Sequence, residues 1–241
     1  MMKLNTKLRR FIRKTIRNLG FQRRIAPDFV DVMSANDIDV VLDVGANDGD
    51  YGREIRDRGY TGLIVSFEPN PVVFERLKSL IAKDNKWEAY PFALGEIDGD
   101  LKLSIATNDT MSSLKGLTLF GQGTGAKYIG QTRCKVMRLD TFLNERPELI
   151  KNVYLKIDTQ GYEMEVLRGT GNMLAKMAVV QAEVALVHTY TDESDWLTFI
   201  QWMRIQKFEI ATAVCNSAIG AQVREFDFVF VRRDKELDLQ K

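Results

Sequence analysis

Between residues 40 and 95, short apolar runs alternate with helical patterns, and this alternation limits the possible folds more than any other feature. An apolar run over 40–45 precedes a helical pattern over about 50–58, and the run "GLIVSFEP" precedes another over 71–83. A third run, "WEAYPFALG", follows. Parallel strands need long crossover connections of this kind, whereas antiparallel strands can be joined by tight turns. The pattern therefore predicts a parallel sheet with right-handed crossovers.

The second half of the chain resumes the alternation but ends differently. The runs "NVYLKID" and "VVQAEVALV" each precede a helical pattern, the first from Tyr162 and the second over 193–206. The last two runs, "FEIATAVC" and "FDFVFVRR", are too close for a helical crossover, so we expect them to pair antiparallel. In the middle, "LKLSIAT" and "CKVMRLD" alternate apolar and polar residues, as hairpin strands do. The Gly- and Thr-rich stretch 110–131 between them is predicted to be a mobile loop near the site.

Composition narrows the class further. The 241 residues suit one domain, and 45% hydrophobic residues are enough for a core. A net charge of +1 argues against a nucleic-acid binder. The two cysteines, Cys134 and Cys215, lie far apart, which fits a reducing compartment, and no apolar run has the length of a membrane span. We therefore expect a cytoplasmic protein.

The first 24 residues stand apart, because they hold nine Lys or Arg residues and no acidic one. Apolar residues at helical spacing predict an amphipathic helix over 3–20. We divide the chain into this basic helical segment, residues 1–36, and a catalytic domain, residues 37–241. Basic amphipathic helices favour anionic lipid surfaces, so peripheral contact with the inner face of a membrane is one hypothesis. Packing on the domain and homo-oligomerisation are the alternatives.

The turn "VVLDVGANDGDYG" after the first run is the main clue to a ligand. Glycines at the carboxyl end of a parallel strand let a ligand approach the backbone. The dinucleotide fingerprint G-x-G-x-x-G fits poorly, since Asn47 stands where its middle glycine would be. The acidic side chains of Asp43, Asp48 and Asp50 would also repel a phosphate, whereas a cationic ligand would be attracted.

Glu68 completes this ligand pattern. It ends the second run, and an acid at that place accepts hydrogen bonds from ribose hydroxyls. A ribose acceptor, an acidic turn and no phosphate-binding lysine together match S-adenosylmethionine, which carries a ribose, an ammonium group and a sulfonium. The alternative is that Asp43 and Glu68 only cap strand ends.

Five segments extend the argument to a family: "VLDVGANDGDYG", "SFEPNPVVFERL", "PFALGEIDGDLKL", "VMRLDTFL" and "VYLKIDTQGYEMEVLRG". In this order, over about 40–215, they resemble the FkbM-type methyltransferases. The resemblance implies an α/β, Rossmann-like class I methyltransferase fold, with a seven-stranded, mostly parallel sheet and an antiparallel last strand. To this the sequence adds an N-terminal helix and an inserted β-hairpin. The family is S-adenosylmethionine-dependent and mostly methylates hydroxyls of sugars, glycolipids and polyketide-like natural products.

The resemblance also implies roles for residues at the cofactor. Asp43, Gly45, Asn47 and Gly49 would shape the methionine end of the pocket, and Glu68 would bind the ribose. The residues expected near the adenine are Ala93, Leu94 and, as a weaker candidate, Asp98.

Three residues are candidates for the base that removes the acceptor's proton. Asp158 follows the fourth strand beside the expected cofactor, and Glu183 lies in the fifth. His188 is the only histidine, and its side chain has the unperturbed pKa nearest neutrality. Each has a plainer alternative: a contact to the cofactor ammonium for Asp158, an ion pair for Glu183, and a surface position for His188.

The acceptor side is less defined. Ser112 and Ser113 resemble a Ser-rich segment of the family, and the aromatic faces of Tyr162 and Tyr190 suit sugar rings but could simply pack. A divalent metal is possible but not indicated; Asp158 and Glu163 would be its ligands.

Three other functions stay open beside O-methylation of a small-molecule, glycan or glycolipid acceptor. They are a nicotinamide-dependent oxidoreductase, a non-catalytic binding module and a small-molecule N-methyltransferase. The segment after the fourth strand, Asp158-Thr159-Gln160-Gly161, lacks the Asn/Asp-Pro-Pro motif of amide and base methylation.

Overall fold

The computed structural model describes residues 27–233, which form two sheets and seven α-helices. The strands are β1 (Val40–Val44), β2 (Leu63–Phe67), β3 (Trp87–Tyr90), β4 (Ala93–Leu94), β5 (Gly99–Ala106), β6 (Tyr128–Met137), β7 (Val153–Ile157), β8 (Met177–Ala185), β9 (Phe208–Ile219) and β10 (Gln222–Arg232). The helices are α1 (Phe29–Ala35), α2 (Asp50–Asp57), α3 (Pro71–Ile81), α4 (Leu119–Gly123), α5 (Leu139–Glu145), α6 (Glu163–Gly169) and α7 (Trp196–Ile205). The predicted basic helix over 3–20, with its membrane contact, lies outside the described residues.

The main sheet has seven strands in the order β3-β2-β1-β7-β8-β10-β9. Neighbouring strands from β3 to β8 are parallel, whereas β10 is antiparallel to both β8 and β9. This confirms the predicted class I methyltransferase arrangement with an antiparallel last strand. Strand order reverses at β1, because the chain moves from β1 to β2 on one side and β7 lies on the other. In such sheets the reversal opens a crevice at the carboxyl ends of the strands.

Helices cover both faces of this sheet, as buried parallel strands require. One face packs against α1, α2 and α3, through Val32, Ile55 and Leu77. The other packs against α5, α6 and α7, through side chains that include Val166 and Phe199. No helix within residues 27–233 is long and apolar enough to cross a membrane.

The second sheet contains the predicted hairpin. Strands β5 and β6 pair antiparallel, and β4 joins β6 in parallel. The run "WEAYPFALG" is therefore not one strand but two, β3 and β4. Pro91 separates them, because proline has no N–H to donate to a ladder. Ala93 and Leu94 thereby move from the main sheet to the small one, where they pair with Val136 and Met137.

The stretch 110–131 is more ordered than the sequence suggests. It contains helix α4 and the first residues of β6, and single bridges tie Ser113 to Ser104 and Leu117 to Tyr190. Ser113 is fully buried. The stretch is therefore not an irregular loop throughout, because contacts with distant segments supply partners for its backbone. Trp196 and Trp202 of α7 are partly buried and pack against the core.

Candidate active site

A cavity of about 290 Å³ opens at the carboxyl ends of β1, β2 and β7, where strand order reverses. Its walls come from the turn after β1, the end of β2, β4 of the small sheet, residues 109–114 and the turn after β7. A volume of this size is at the lower end of the range for small-molecule sites.

The turn after β1 has three left-handed residues, and two of them, Gly45 and Asn47, line the cavity. Gly45 has φ of +75°, and a Cβ added there would lie 1.9 Å from the backbone oxygen of Asp158. Only glycine therefore lets the turns after β1 and β7 come this close. Asn47, with φ of +48°, follows in the same turn, and its side-chain oxygen accepts a hydrogen bond from the Asp48 N–H at 2.8 Å. Asparagine is among the few residues that tolerate this conformation.

Glu68 connects the ends of β1 and β2 at the cavity wall. Its Oε2 accepts from the Asn47 N–H at 2.9 Å, and its Oε1 accepts from the Asn70 N–H at 2.7 Å. Each oxygen keeps a lone pair for a ligand hydroxyl. Burial raises the pKa of Glu68 to about 7, although the two backbone hydrogen bonds oppose the shift. A ligand that donates hydrogen bonds to the carboxylate would favour the ionised form.

A buried ion pair lies beneath the cavity. Asp43 of β1 and Lys156 of β7 are register partners, and the Lys156 Nζ lies 3.1 Å from Asp43 Oδ1. The contact is an ion pair rather than a well-aligned hydrogen bond. Burial raises the pKa of Asp43 and disfavours the charge on Lys156, but Asp43 and Asp158 together outweigh that effect and raise the pKa of Lys156. Lys156 Nζ also lies 3.6 Å from Asp158 Oδ2 and thus links the two carboxylates.

The turn after β7 carries a hydrogen-bonded network. Gln160 Nε2 donates to Asp158 Oδ1 at 2.8 Å and to Glu183 Oε1 at 3.3 Å. Gln160 Oε1 accepts from the Tyr190 hydroxyl at 2.7 Å. Burial, followed by the charge of Asp158, raises the pKa of Glu183 well above its usual range. Burial thus favours the neutral form of Glu183, while Asp158 faces the cavity beside the Lys156 ammonium.

The charges around the cavity are mostly negative. Of the described side chains that line it, Lys156 is the single basic one. The acidic ones are Asp48, Asp50, Glu68, Asp109 and Asp158. This set of groups suits a ligand with positive charge and several hydroxyls, and it does not suit a pyrophosphate.

Glu163 does not line the cavity beside Asp158. Its Oε1 accepts hydrogen bonds from the Thr159 and Gly161 N–H groups, at 2.9 and 3.1 Å, and so fixes the start of α6. Burial, helped by the charge of Glu193, raises the pKa of Glu163 to about 7. Within residues 27–233, no group of three His, Cys, Asp or Glu side chains is placed to hold a metal ion.

Most of the residues predicted for the site line the cavity, in two groups. The predicted cofactor residues among them are Gly45, Asn47, Glu68, Ala93 and Leu94, and the others are Ser112, Ser113, Asp158 and Tyr162.

Other predicted residues lie elsewhere. Gly49 packs beside α3, where an added Cβ would meet Leu77 and Leu80. Asp98 accepts hydrogen bonds from the Arg138 N–H and the Thr141 hydroxyl, so it supports the start of α5 rather than the cavity. His188 does not line the cavity either.

Asp43, Glu183 and Tyr190 lie behind the cavity wall and act on it through neighbours. Asp43 does so through Lys156, whereas Glu183 and Tyr190 do so through Gln160.

Sequence reasoning missed Lys156 and Gln160. A signal for Lys156 existed, because it is the one charged residue in the apolar run "VYLKI", just as Asp43 is in "VVLDV". Two opposite charges inside adjacent buried strands indicate a pair. Gln160 gave no comparable signal, because its partners Ser113 and Tyr190 come from distant segments.

Comparison with known proteins identifies a family. Residues 43–210 match the family model of the methyltransferase FkbM domain. Methyltransferase 1 of Beauveria bassiana (strain ARSEF 2860) is 28% identical over 154 residues, which are 58% of this chain and 61% of that protein. This chain thus spans less than two thirds of that relative. Hexuronic acid methyltransferase AglP of Haloferax volcanii is 26% identical over 203 residues, 84% of this chain and 74% of that protein.

Solved methyltransferases are similar at low identity. Magnesium protoporphyrin IX methyltransferase (ChlM) from Synechocystis PCC 6803, with bound SAM, gives a TM-score of 0.46 at 12% identity, covering 96% of this chain and 99% of that one. Aeropyrum pernix fibrillarin, with natively bound S-adenosyl-L-methionine, gives 0.44 at 12% identity, covering 80% of this chain and 66% of that one.

Proposed function

This chain belongs to the FkbM methyltransferase family, and from that premise we propose that it transfers a methyl group from S-adenosylmethionine to a hydroxyl group of a sugar, glycolipid or similar polyhydroxylated compound. The observation that carries the proposal is the cavity at the carboxyl ends of β1, β2 and β7. There a buried glutamate faces the ligand space, with both of its oxygens fixed by backbone N–H groups.

The residues of the cavity fit this cofactor. Glu68 offers a carboxylate lone pair to each of two ribose hydroxyls, and the acidic side chains of Asp48, Asp50 and Asp158 suit an ammonium and a sulfonium. Because residue 45 is a glycine, no side chain stands between the turn after β1 and the Asp158 backbone. When bound, S-adenosylmethionine supplies an electrophilic methyl group on its sulfonium.

The chain's own part in the reaction is to align the acceptor and accept its proton. Alignment alone can contribute several kcal/mol. Of the three residues considered as the base, Asp158 is the one that lines the cavity, so we assign it the proton from the acceptor hydroxyl; a general base contributes about 10²–10⁴-fold. Glu183 does not line this cavity and reaches it only through Gln160, so it does not serve as the first acceptor.

A carbohydrate acceptor is supported by one relative. Over 84% of this chain, similarity extends to a protein described as a hexuronic acid methyltransferase. The part of the cavity at residues 109–114 presents hydroxyl groups from Thr110 and Ser112 beside Tyr162. Hydroxyls and an aromatic ring are the groups that bind sugars.

The test of the cofactor is calorimetric titration of the purified protein with S-adenosylhomocysteine, with NAD titrated in parallel. We expect micromolar binding of the first and none of NAD. Glu68→Ala is expected to weaken S-adenosylhomocysteine by about tenfold or more, since a charge-assisted hydrogen bond contributes roughly 1.5–3 kcal/mol. Glu75→Ala is the matched control, because Glu75 lies on exposed helix α3 with 69% of its side chain accessible. NAD binding, or no binding by the folded protein, would contradict the cofactor assignment.

The test of the acceptor is a panel assayed with methyl-labelled S-adenosylmethionine. The panel contains uronic-acid glycans, neutral glycans, polyhydroxylated polyketides and amines. Labelled product that is stable to mild base, formed from glycans, is expected, because a methyl ether resists hydrolysis. Label transferred only to amines would favour N-methylation instead.

A further inference from the structure

Gln160 holds two carboxyl groups from different strands with one amide group. Its Nε2 donates to Asp158 Oδ1 at 2.8 Å and to Glu183 Oε1 at 3.3 Å. Asp158 lines the main cavity, whereas Glu183 lines an adjoining pocket of about 10 Å³. Gln160 therefore stands between the ligand space and a buried acid.

The orientation of this amide is determined by its partners. Gln160 Oε1 accepts from the Tyr190 hydroxyl at 2.7 Å. A flipped amide would point its oxygen at the oxygens of the two carboxyl groups and would lose the hydrogen bond that it donates to Asp158. The observed orientation is therefore the one in which both N–H groups and the carbonyl oxygen have partners.

The backbone of Gln160 is held as firmly as its side chain. Its φ is +57°, a conformation that a side-chain-bearing residue keeps only when its surroundings impose it. The buried Ser113 hydroxyl donates to the Gln160 carbonyl at 2.6 Å. The Tyr190 side chain also packs on Gly161, where an added Cβ would lie 2.7 Å from the Tyr190 Cβ. Two distant segments thus fix one residue of the turn.

We infer that Gln160 is a positioning residue, which fixes the Asp158 carboxylate in the direction of the transferred methyl group and ties it to Glu183. This inference rests on the proposed function. The Asp158 carboxylate is held on both sides, by Gln160 at Oδ1 and by Lys156 at Oδ2. Without Gln160, only the contact between Lys156 Nζ and Asp158 Oδ2 would remain. At 3.6 Å this ion pair restrains the direction of the Asp158 carboxylate poorly. Substitution of Gln160 should then change the affinity for a group at the methyl position and leave the affinity for the rest of the cofactor unchanged.

Asp158 and Glu183 lie in a cluster of acids. Asp158 is the strongest of the nearby acids in raising the pKa of Glu183, after burial. The other acids that act on it come from α6 and β10, namely Glu163, Glu225 and Asp227. All of them favour the neutral form of Glu183, and the Gln160 amide that donates to both Asp158 and Glu183 holds the two carboxyl groups together.

Two ligands that differ at the methyl position test the inference without an acceptor. S-adenosylhomocysteine has a neutral thioether there, whereas sinefungin carries a protonated amine in place of the methyl group. If Asp158 is directed at that position, sinefungin should bind wild-type protein about tenfold tighter, since the pair is charge-assisted. In Gln160→Leu we expect this ratio to fall to about threefold or less, with S-adenosylhomocysteine affinity changed less than about threefold.

Two further variants keep the test sharp. Tyr190→Phe removes only the hydroxyl that orients the amide, so the affinity ratio should fall by a smaller factor, about twofold. Gln201→Leu makes the same substitution on exposed helix α7 and should leave the ratio unchanged. With the acceptor found in the panel, Gln160→Leu should lower kcat by about tenfold, while the KM for S-adenosylmethionine stays within about threefold.

The outcomes separate this inference from the proposed function. Wild-type protein that binds neither ligand would overturn the proposed function, and the inference with it. Binding of both ligands, with a ratio near one in wild type or a ratio that survives both Gln160→Leu and Tyr190→Phe, would overturn the positioning role alone. Equal loss of both ligands in a folded Tyr190→Phe variant would also overturn it, because that is what a merely structural role predicts.

Discussion

The two halves of the cavity are built in different ways. The β1–β2 half, formed by Gly45, Asn47 and Glu68, is held by backbone conformation and backbone hydrogen bonds over a short stretch of chain. The β7 half, formed by Asp158 and Gln160 with their partners Ser113 and Tyr190, is held by contacts between distant segments. The β1–β2 half can therefore stay constant while the β7 half changes, and this arrangement suits one cofactor and many acceptors.

The largest effect is expected where the two halves touch. Gly45→Ala would place a Cβ 1.9 Å from the Asp158 backbone oxygen at a φ of +75°. Both turns would have to move, so we expect a loss of more than about 4 kcal/mol of unfolding free energy, together with loss of S-adenosylhomocysteine binding. Denaturant unfolding and calorimetry measure the two.

Gly59→Ala is the matched control for this substitution. Gly59 has φ of +95°, but an added Cβ would meet no atom within 4 Å. It should cost only the left-handed conformation, about 1–2 kcal/mol. Equal losses in the two variants would show that the close approach of the turns does not matter.

The second prediction concerns the ion pair that joins the strands beneath both halves. Lys156→Met leaves Asp43 fully buried without its cation, and losing one partner of a buried pair costs about 3–5 kcal/mol. Asp43 can reduce this cost by taking a proton. Its pKa in the folded state then lies further above the unfolded value, so stability is lost as pH rises. The destabilisation should therefore be larger at pH 8 than at pH 5.

Denaturant unfolding at both pH values measures this effect. Lys102→Met, at an exposed position of β5, should have little effect at either pH. A Lys156→Met loss that is the same at pH 5 and pH 8 would contradict the role given to Asp43.

The β1–β2 half and the β7 half of the cavity also differ in how much of each the sequence predicts. The sequence predicts Gly45, Asn47 and Glu68 because they belong to consecutive parts of the chain, namely the turn after one strand and the end of the next strand. The partnership of Gln160 with Tyr190 and Ser113 depends on how the segments 107–127 and 186–195 fold over the sheet, and no local pattern encodes that. The sequence does not predict the position of Asp98, because the groups that donate to it lie at the start of α5, 40 residues or more further along the chain. The Lys156–Asp43 pair was predictable only once the β1–β7 register was known.

The third prediction tests the acid behind the β7 half. The pKa of Glu163 is raised to about 7, mainly by burial, so the folded protein binds this proton more tightly than the unfolded chain. Its contribution to stability is present below the unfolded pKa of about 4.3 and is lost as pH rises to about 7. Glu163→Gln keeps an oxygen for the Thr159 and Gly161 N–H groups but cannot ionise. The variant should be more stable than wild type by about 1–3 kcal/mol at pH 8, and equal to it near pH 4.

Unfolding free energies at the two pH values decide this prediction. Glu75→Gln, on the exposed surface of α3, is the control and should show no such difference. A Glu163→Gln variant that is less stable than wild type at pH 8 would mean that the ionised form is the one the α6 turn requires.

The smallest effect separates two neighbouring serines that both line the cavity. Ser113 is fully buried, and its hydroxyl donates to the Gln160 carbonyl at 2.6 Å and accepts from the Lys115 N–H at 3.0 Å. Ser112 is half-buried, and its hydroxyl accepts one hydrogen bond, from the Ala106 N–H at 3.2 Å. Ser113→Ala should therefore cost about 1–2 kcal/mol of unfolding free energy, and Ser112→Ala less than about 1 kcal/mol.

Because Ser113 reaches the β7 half only, the Ser113→Ala variant should keep its S-adenosylhomocysteine affinity within about twofold while its preference for sinefungin declines. A loss of both affinities would mean that the two halves of the cavity are not independent, and the contrast between them would fail.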